Sequence, residues 1–370
     1  LFDNTFSFRD FNPENNFPNP VLTATHFNNI RSANNCYFFT AENKCVAARR
    51  INYLTIVQKD MEVIVDPNGN VLYSADQNVY FKPATTDSLV SAMVFLPDPL
   101  TTAGVSYGGS YVDAVDGDLP TLNNERVSVN MRVNYSDDTF RLQNAYVMIA
   151  DFSAPTVAPV FSVSTPAFNY TRSQAGFENV NAYYHINVQQ QHLRSLGFTN
   201  IVNYPIWVDT RGDLADNSYF APGHSPPRLT FGIGGVDDAE DADVIIHEYG
   251  HAMSHSAAPS TNTGVERTTL DEANGDYFAA SYSRDLDPFN WQNVYSWDGH
   301  NPYWPGRVVV STKHYPEDLV HNLYTDADIW SSTVMQMCTE IGRAEADAIL
   351  MESIYGYAAN MTMEDAASLY

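Results

Sequence analysis

The chain has 370 residues, 44% of them hydrophobic and 13% aromatic, which is enough to bury a sizeable core in two or three domains. Acidic residues outnumber basic ones by 44 to 19, and the formal net charge at pH 7 is −25. Nucleic acids and anionic membrane surfaces bind basic faces, so this charge argues against both as partners. No apolar run in the sequence approaches the length of a membrane span.

The first half of the chain favours β-structure. Residues 61–65 and 70–73 are β-rich runs on either side of a turn that contains Pro and Gly, and they predict a hairpin. Residues 127–133 alternate between apolar and polar side chains, as a half-buried strand does, and residues 146–150 predict a further strand. We therefore expect residues 1–165 to form a β-rich accessory domain.

The chain has three cysteines. Cys36 and Cys45 lie on the two arms of a predicted hairpin, and two states are open for them: a disulfide in an oxidising compartment, or two reduced thiols. Cys338 falls within an apolar helical pattern and is predicted to be a small core residue. None of the three has the spacing of a metal-ligand set.

The central motif is His247-Glu248-x-x-His251, which lies inside an apolar run with helical spacing. Residues four apart share a face of a helix, so the two imidazoles can bind one metal ion from adjacent turns. Glu248 would then lie beside the open coordination position, where it can accept a proton from water. The pattern occurs by chance in roughly one chain of this length per hundred, so a third ligand is needed to make it specific.

A third ligand is offered downstream by Glu272 and Asp276, which are again four residues apart on one face of a second predicted helix. A catalytic zinc site takes three protein ligands. One of these carboxylates can bind the metal. The other can accept the free ring N–H of a metal-bound histidine and fix its tautomer.

The combination of His-Glu-x-x-His with Glu-Ala-x-x-Asp about twenty residues later resembles the gluzincin metallopeptidases, the group of thermolysin and fungalysin. The resemblance implies that His247, His251 and Glu272 are zinc ligands. It implies that Glu248 is the general base and that Asp276 supports a ligand histidine. It also implies an α+β fold, in which a β-rich N-terminal domain precedes a thermolysin-like, two-lobed catalytic domain with a central zinc-binding helix and a helical C-terminal part.

Residues around the motif supply other parts of the predicted cleft. Asn217 and Tyr219 lie in an Asn-small-aromatic-aromatic string that resembles the substrate-binding edge strand of gluzincins, and the alternative is a plain turn before a packed aromatic. We expect an α+β catalytic lobe over residues 166–310 and a helical lobe over residues 311–370. The acidic segment 237–243 suits the start of a helix and would also suit a Ca²⁺ site.

Oxyanion stabilisation is the point at which this chain departs from thermolysin. Thermolysin uses a Tyr between its two zinc helices and a His further on, but no Tyr occurs here between His251 and Glu272. His321 is the predicted second donor, because in these families the donor histidine lies shortly before a helix that carries Ile/Val-Trp. Residues 322–324 look inserted between it and the predicted helix. His314 is the other candidate, and an exposed loop histidine is the alternative for both.

These patterns predict a secreted, zinc-dependent endopeptidase that acts on peptide or protein substrates. An aminopeptidase of the related gluzincin branch would need an acidic motif for the substrate's amine, such as Gly-x-Met-Glu-Asn, and none occurs. Two alternatives remain open. Residues 62–72 faintly resemble the closing strands of gluzincin propeptides, which would make the chain a zymogen. A non-catalytic binding or adhesion protein with a structural zinc is the other, although a structural site has no need of Glu248.

Overall fold

The computed structural model of the protein describes residues 30–39, 45–54, 60–67, 71–76, 86–162 and 165–370. The chain divides into two compact units, Leu1–Pro83 and Ala84–Tyr370. The predicted boundary at residue 165 falls inside the second unit. The roles assigned to the three predicted segments stay predictions.

The described part of the first unit is a four-stranded antiparallel sheet. Its strands follow chain order: β1 (Ile30–Phe39), β2 (Cys45–Leu54), β3 (Asp60–Val65) and β4 (Val71–Asp76). The predicted hairpin is confirmed as β3 and β4, and residues 68–70 of its turn lie outside the described residues. The register pairs Cys36 with Ala48 and Cys45 with Phe39, so the two cysteines do not pair with each other in the β1–β2 ladder. The state of their thiols stays a prediction.

The second unit contains two larger sheets. One has five strands in the order β10 (Ala167–Phe168), β5 (Thr86–Val94), β6 (Val127–Ser136), β7 (Thr139–Arg141) and β9 (Phe161–Ser162). The other has four in the order β12 (Tyr219–Ala221), β13 (Arg228–Gly232), β11 (Ile206–Asp213) and β8 (Val147–Ile149). Strands β8, β11 and β13 run parallel, while β12 pairs with β13 in the antiparallel direction and forms an edge of the sheet. Two predicted strands are confirmed: residues 127–133 lie within β6, and β8 lies within the predicted residues 146–150. A small antiparallel pair is formed by β14 (Asn293–Val294) and β15 (Arg307–Val308).

The helices of this unit are concentrated after residue 175. They are α1 (Pro99–Ala103), α2 (Pro120–Asn124), α3 (Gly176–Ser195), α4 (Ala242–Ala257), α5 (Val265–Leu286), α6 (Leu323–Ile341), α7 (Arg343–Ile354) and α8 (Met363–Leu369). The mixed α+β class predicted from the sequence is therefore confirmed. No helix in the described ranges is both long and apolar enough to cross a bilayer.

Helix α3 forms the centre of the core. It packs against β5, β8 and β11 and against α4, and residues are buried on nearly all of its faces. His185 of this helix is fully buried, and its ring nitrogens lie 2.7 Å from the Tyr282 hydroxyl and 2.9 Å from the Phe95 carbonyl oxygen. His185 is therefore a core residue, and both of its ring nitrogens have hydrogen-bond partners.

Helices α4 and α5 pack side by side, and two glycines permit their close approach. A Cβ placed on Gly250 would lie 3.1 Å from the Cα of Gly275, so side chains at this crossing would force the helices apart. Helix α4 begins at Ala242, and the carboxylate of its N-cap residue Asp241 accepts the Asp243 backbone N–H at 2.8 Å. The glycines therefore allow the close approach of α4 and α5, and the cap stabilises the start of α4.

Candidate metal centre

Helices α4 and α5 bring His247, His251 and Glu272 together, as the sequence predicted. The Nε2 atoms of the two histidines are 3.1 Å apart. The Glu272 carboxylate oxygens lie 3.4 Å from His247 Nε2 and 3.5 Å from His251 Nε2. Ligands bound to zinc at 2.0–2.1 Å with tetrahedral angles are separated by about 3.3 Å. The three ligand atoms therefore already have the spacing of a zinc site.

Each histidine has a carboxylate partner on its other ring nitrogen. His247 Nδ1 lies 3.0 Å from Asp276 Oδ1, and His251 Nδ1 lies 2.8 Å from Asp271 Oδ2. Nitrogens that donate protons to these carboxylates leave the two Nε2 atoms with their lone pairs turned toward each other. Two lone pairs 3.1 Å apart require a positive charge between them, either a proton or a metal ion. The donor set fits zinc, with neutral imidazoles, one carboxylate and carboxylates behind both histidines.

The charges around the centre keep its carboxylates ionised. Burial by itself would raise the pKa of Glu272, but the hydrogen bond to His247 and the charges of both histidines and of Arg307 lower it to about 2. Burial also lowers the pKa of His251, yet the Asp271 and Glu272 carboxylates outweigh it and raise that pKa to about 10. A metal ion binding here would therefore displace a proton.

Glu248 lies beside the three converging residues. Its side chain is buried, and its Oε2 atom has no hydrogen-bond partner among the described residues. An unpaired buried carboxylate oxygen is costly in a folded protein, so its persistence needs an explanation. Glu248 lines the same cavity as His247, His251 and Glu272, so its carboxylate belongs to the same candidate site.

The cavity in front of the centre has a volume of about 820 Å³. Asn217 and Tyr219 both line it, and both are exposed, so the structure brings the two predicted substrate contacts to the cleft. Tyr219 is the first residue of β12, and within the described ranges no other strand pairs with the outer edge of β12. Leu323 and Tyr324, at the start of α6, also line the cavity.

The structure does not bring His321 to the cleft. His321 is exposed and is not a cavity-lining residue, whereas Leu323 and Tyr324 are. The reason lies in the start of α6: Asn322 caps the helix by accepting the Thr325 N–H at 3.1 Å, so residues 323–324 form its first turn and not an insertion before it. His314, the other sequence candidate, is 81% exposed and lies beside Asp318.

Several residues around the candidate metal centre belong to no sequence motif, so the sequence analysis did not predict them. Arg307 Nη1 lies 3.1 Å from Glu272 Oε2 and 2.8 Å from Asp276 Oδ1. The Tyr295 hydroxyl lies 2.6 Å from His247 Nδ1 and donates to Asp276 Oδ1 at 2.5 Å. The guanidinium of Arg307 also stacks over Tyr324, whose pKa is raised chiefly by the Glu272 charge.

Asp271 was also missed, although a signal for it existed in the sequence. A second ligand histidine needs its own acceptor, and Asp271 directly precedes the predicted ligand Glu272. Besides His251, Asp271 accepts hydrogen bonds from the Ser254 hydroxyl at 2.5 Å and from Asn262 at 2.9 Å. This network fixes the ring of the ligand at the C-terminal end of the motif.

Comparisons of this chain with known protein families and with curated proteins found no match. The fold and the site by themselves define an α+β protein with a His-His-Glu candidate metal centre at the base of an open cavity.

Proposed function

We propose that this protein is a zinc-dependent endopeptidase. The observation that carries the proposal is the convergence of His247, His251 and Glu272 at distances of 3.1–3.5 Å, with the buried Glu248 carboxylate lining the same cavity. A purely structural zinc site would be closed by a fourth protein ligand and would have no use for a free carboxylate. An open cavity beside three ligands is the arrangement of a catalytic site.

Bound zinc would polarise a substrate carbonyl and lower the pKa of a water molecule. In this proposal Glu248 is the general base: its carboxylate accepts a proton from the attacking water and delivers it to the leaving amine. Asp271 and Asp276 hold the two imidazoles in the tautomer that presents Nε2 to the centre. Arg307 and Tyr324, in place of His321, are the cavity-lining donors available for the developing oxyanion.

The substrate would bind along β12. An extended peptide can add to the free edge of a sheet through main-chain hydrogen bonds, and β12 is an edge strand on the cavity wall. Asn217 and Tyr219 are then placed to contact the peptide. In this proposal the chain adopts a thermolysin-like arrangement, with the cleft between an α+β lobe and the helical lobe that begins near α6.

Metal analysis combined with cleavage of a fluorogenic peptide or casein tests the proposal. We expect one zinc per chain and activity that a chelator removes and zinc restores. Glu248→Gln should keep the zinc and lose at least about 100-fold in kcat, because the amide cannot accept the proton. Glu352→Gln, on the exposed face of α7, is the matched control and should retain full activity.

Two results would redirect the assignment. Stoichiometric zinc without cleavage would favour the zymogen or the non-catalytic binding protein, and activity that appears only after removal of the β-rich unit would select the zymogen. Wild-type turnover in Glu248→Gln would refute the catalytic role of that residue.

A further inference from the structure

Three further carboxylates, none of them part of the His-His-Glu centre, converge in the same cavity. Oxygens of Asp216, Asp238 and Asp298 lie within 4.8 Å of one another, and all three residues line the cavity. They come from separate segments: the loop before β12, a single-turn 3₁₀ helix before α4, and the loop between β14 and β15. Only Asp238 belongs to the acidic segment 237–243, so the cluster arises from tertiary structure.

Two of these carboxylates are almost fully buried, yet each has an oxygen without a partner. Asp238 is 2% exposed and Asp298 is 3% exposed. Asp238 Oδ2 accepts from the Ser218 hydroxyl, and Asp298 Oδ2 accepts the indole N–H of Trp304 at 3.0 Å. The Oδ1 atoms of both have no hydrogen-bond partner among the described residues. Buried acceptors without partners are costly, so a ligand that supplies positive charge would stabilise them.

No Lys, Arg or His in the described ranges forms an ion pair with any of the three. Burial, followed by the charges of Asp238 and Asp216, raises the pKa of Asp298 well above its ordinary value. A monovalent ammonium group among three carboxylates would leave two negative charges uncompensated. A divalent cation would leave one, and carboxylate oxygens are the ligands that hard divalent cations prefer.

The exposed member of the cluster is held in position by close packing of its backbone. A Cβ on Gly234 would lie 2.3 Å from the Asp216 nitrogen, and one on Gly235 would lie 3.2 Å from Asp216 Oδ2. Gly235 also has a φ of +74°, which favours glycine. The loop that carries Asp216 therefore rests directly on the chain that follows β13, and its carboxylate is directed by the fold.

We propose that Asp216, Asp238 and Asp298 bind a hard divalent cation, Ca²⁺, as a second metal site in the cavity. Ca²⁺ accepts six to eight oxygen ligands at 2.3–2.6 Å in flexible geometry, and water from the open cavity completes its shell. The ion joins the loop before the edge strand β12, the segment before the zinc helix and the loop that carries Trp304. Its effect on peptide cleavage rests on the proposed peptidase function, whereas its binding does not.

The test uses the full chain loaded with one equivalent of zinc and otherwise freed of metals. CaCl₂ is titrated by calorimetry and by thermal unfolding, with MgCl₂ and KCl as comparison salts. We expect one Ca²⁺ per chain and a rise in Tm of roughly 5 °C at a hundredfold excess over Kd, with a weaker response to Mg²⁺. Peptide cleavage measured in parallel separates the two proposals, since calcium binding in an inactive protein leaves the second site standing.

Asp216→Asn is the leading variant because Asp216 is exposed and its loss does not threaten the core. It should weaken Ca²⁺ binding at least 10-fold and leave zinc content unchanged. Asp298→Asn should abolish the Ca²⁺-dependent rise in Tm, while without Ca²⁺ its Tm should equal or exceed that of the wild type, because a buried charge repulsion is removed. Asp137→Asn, an exposed residue with φ of +51° that Asn tolerates, is the control.

Three results would overturn the proposal. The first is the absence of heat and of a Tm change up to about 10 mM CaCl₂, which is beyond the range of weak extracellular sites. The second is a wild-type calcium response in Asp216→Asn and Asp298→Asn. The third is a wild-type protein that ignores Ca²⁺ but binds Lys- or Arg-containing peptides in a manner that Asp216→Asn abolishes, which would assign the cluster to a substrate cation.

Discussion

The substitution Gly275→Ala has two opposing effects. It raises the helix propensity of α5, and it creates a steric clash with His247, a proposed zinc ligand. Gly275 lies in the middle of α5, where Ala is favoured over Gly by about 1 kcal/mol. A Cβ at this position would lie 2.6 Å from His247 Nδ1 and 2.8 Å from His247 Cε1, whereas ordinary contacts are 3.4–4 Å. The imidazole must therefore move by about 0.8 Å, although its Nδ1 is held by Asp276 and Tyr295.

The expected loss of zinc affinity follows from how precisely a metal site must position its ligand atoms. Ligand distances must lie within about 0.2 Å of their ideal values, so a displaced Nε2 atom should cost at least 10- to 100-fold in zinc affinity, or about 1.4–2.7 kcal/mol. Overpacking typically costs about 1–3 kcal/mol, which meets or exceeds the propensity gain. We expect the free energy of unfolding of the metal-free variant to change little or fall, and its zinc affinity to fall clearly.

Zinc affinity is measured by competition with a chromogenic chelator, and stability by urea unfolding in the presence of a chelator. Gly250→Ala is the matched control, because its Cβ would meet the Gly275 Cα at 3.1 Å and not the His247 ring. Gly250→Ala should be less stable than the wild type, but its zinc affinity should fall less than that of Gly275→Ala. Zinc binding of wild-type strength in Gly275→Ala would show that the ring of His247 is not held as described, and equal zinc losses in both variants would attribute the effect to helix separation.

The remaining predictions concern the partner of His247 and one histidine of the core. Asp276→Asn should weaken zinc binding about 10- to 100-fold in the same competition titration, since an amide is a poorer acceptor for the Nδ1–H of His247, and unchanged affinity would leave Asp276 with no role in positioning that ring. Burial, opposed by the hydrogen bond to the Phe95 carbonyl, lowers the pKa of His185 from 6.5 to about 4. The unfolded chain therefore binds a proton below pH 6.5 that the folded chain refuses until about pH 4, and stability is lost as the pH falls through this window. Between pH 7.5 and 5.0 the free energy of unfolding should fall by about 2 kcal/mol more in the wild type than in His185→Gln, as measured by urea titration, and equal losses would contradict a neutral, buried His185.

The elements of this protein were largely predictable from local patterns. The β3–β4 hairpin, the alternating part of β6 and the two helices that carry the metal-binding motif follow from residues adjacent in the chain, because period and turn chemistry act over a few residues. The same locality explains why His247, His251 and Glu272 could be selected: the spacing of four places the histidines on one helix face, and α5 follows α4 after a short connection.

The sequence by itself determined the pair of helices and the candidate ligand residues that they carry. Only the tertiary structure decided what surrounds them. Arg307 reaches Glu272 from 35 residues away, and Asp216 and Asp298 join Asp238 from separate loops, so no fixed spacing could reveal either group. The prediction of His321 rested on a local pattern. In the structure α6 begins directly after its cap at Asn322, and Tyr324 rather than His321 lines the cavity. Contacts between loops depend on how the packed core orients their ends, and that orientation is a property of the whole fold.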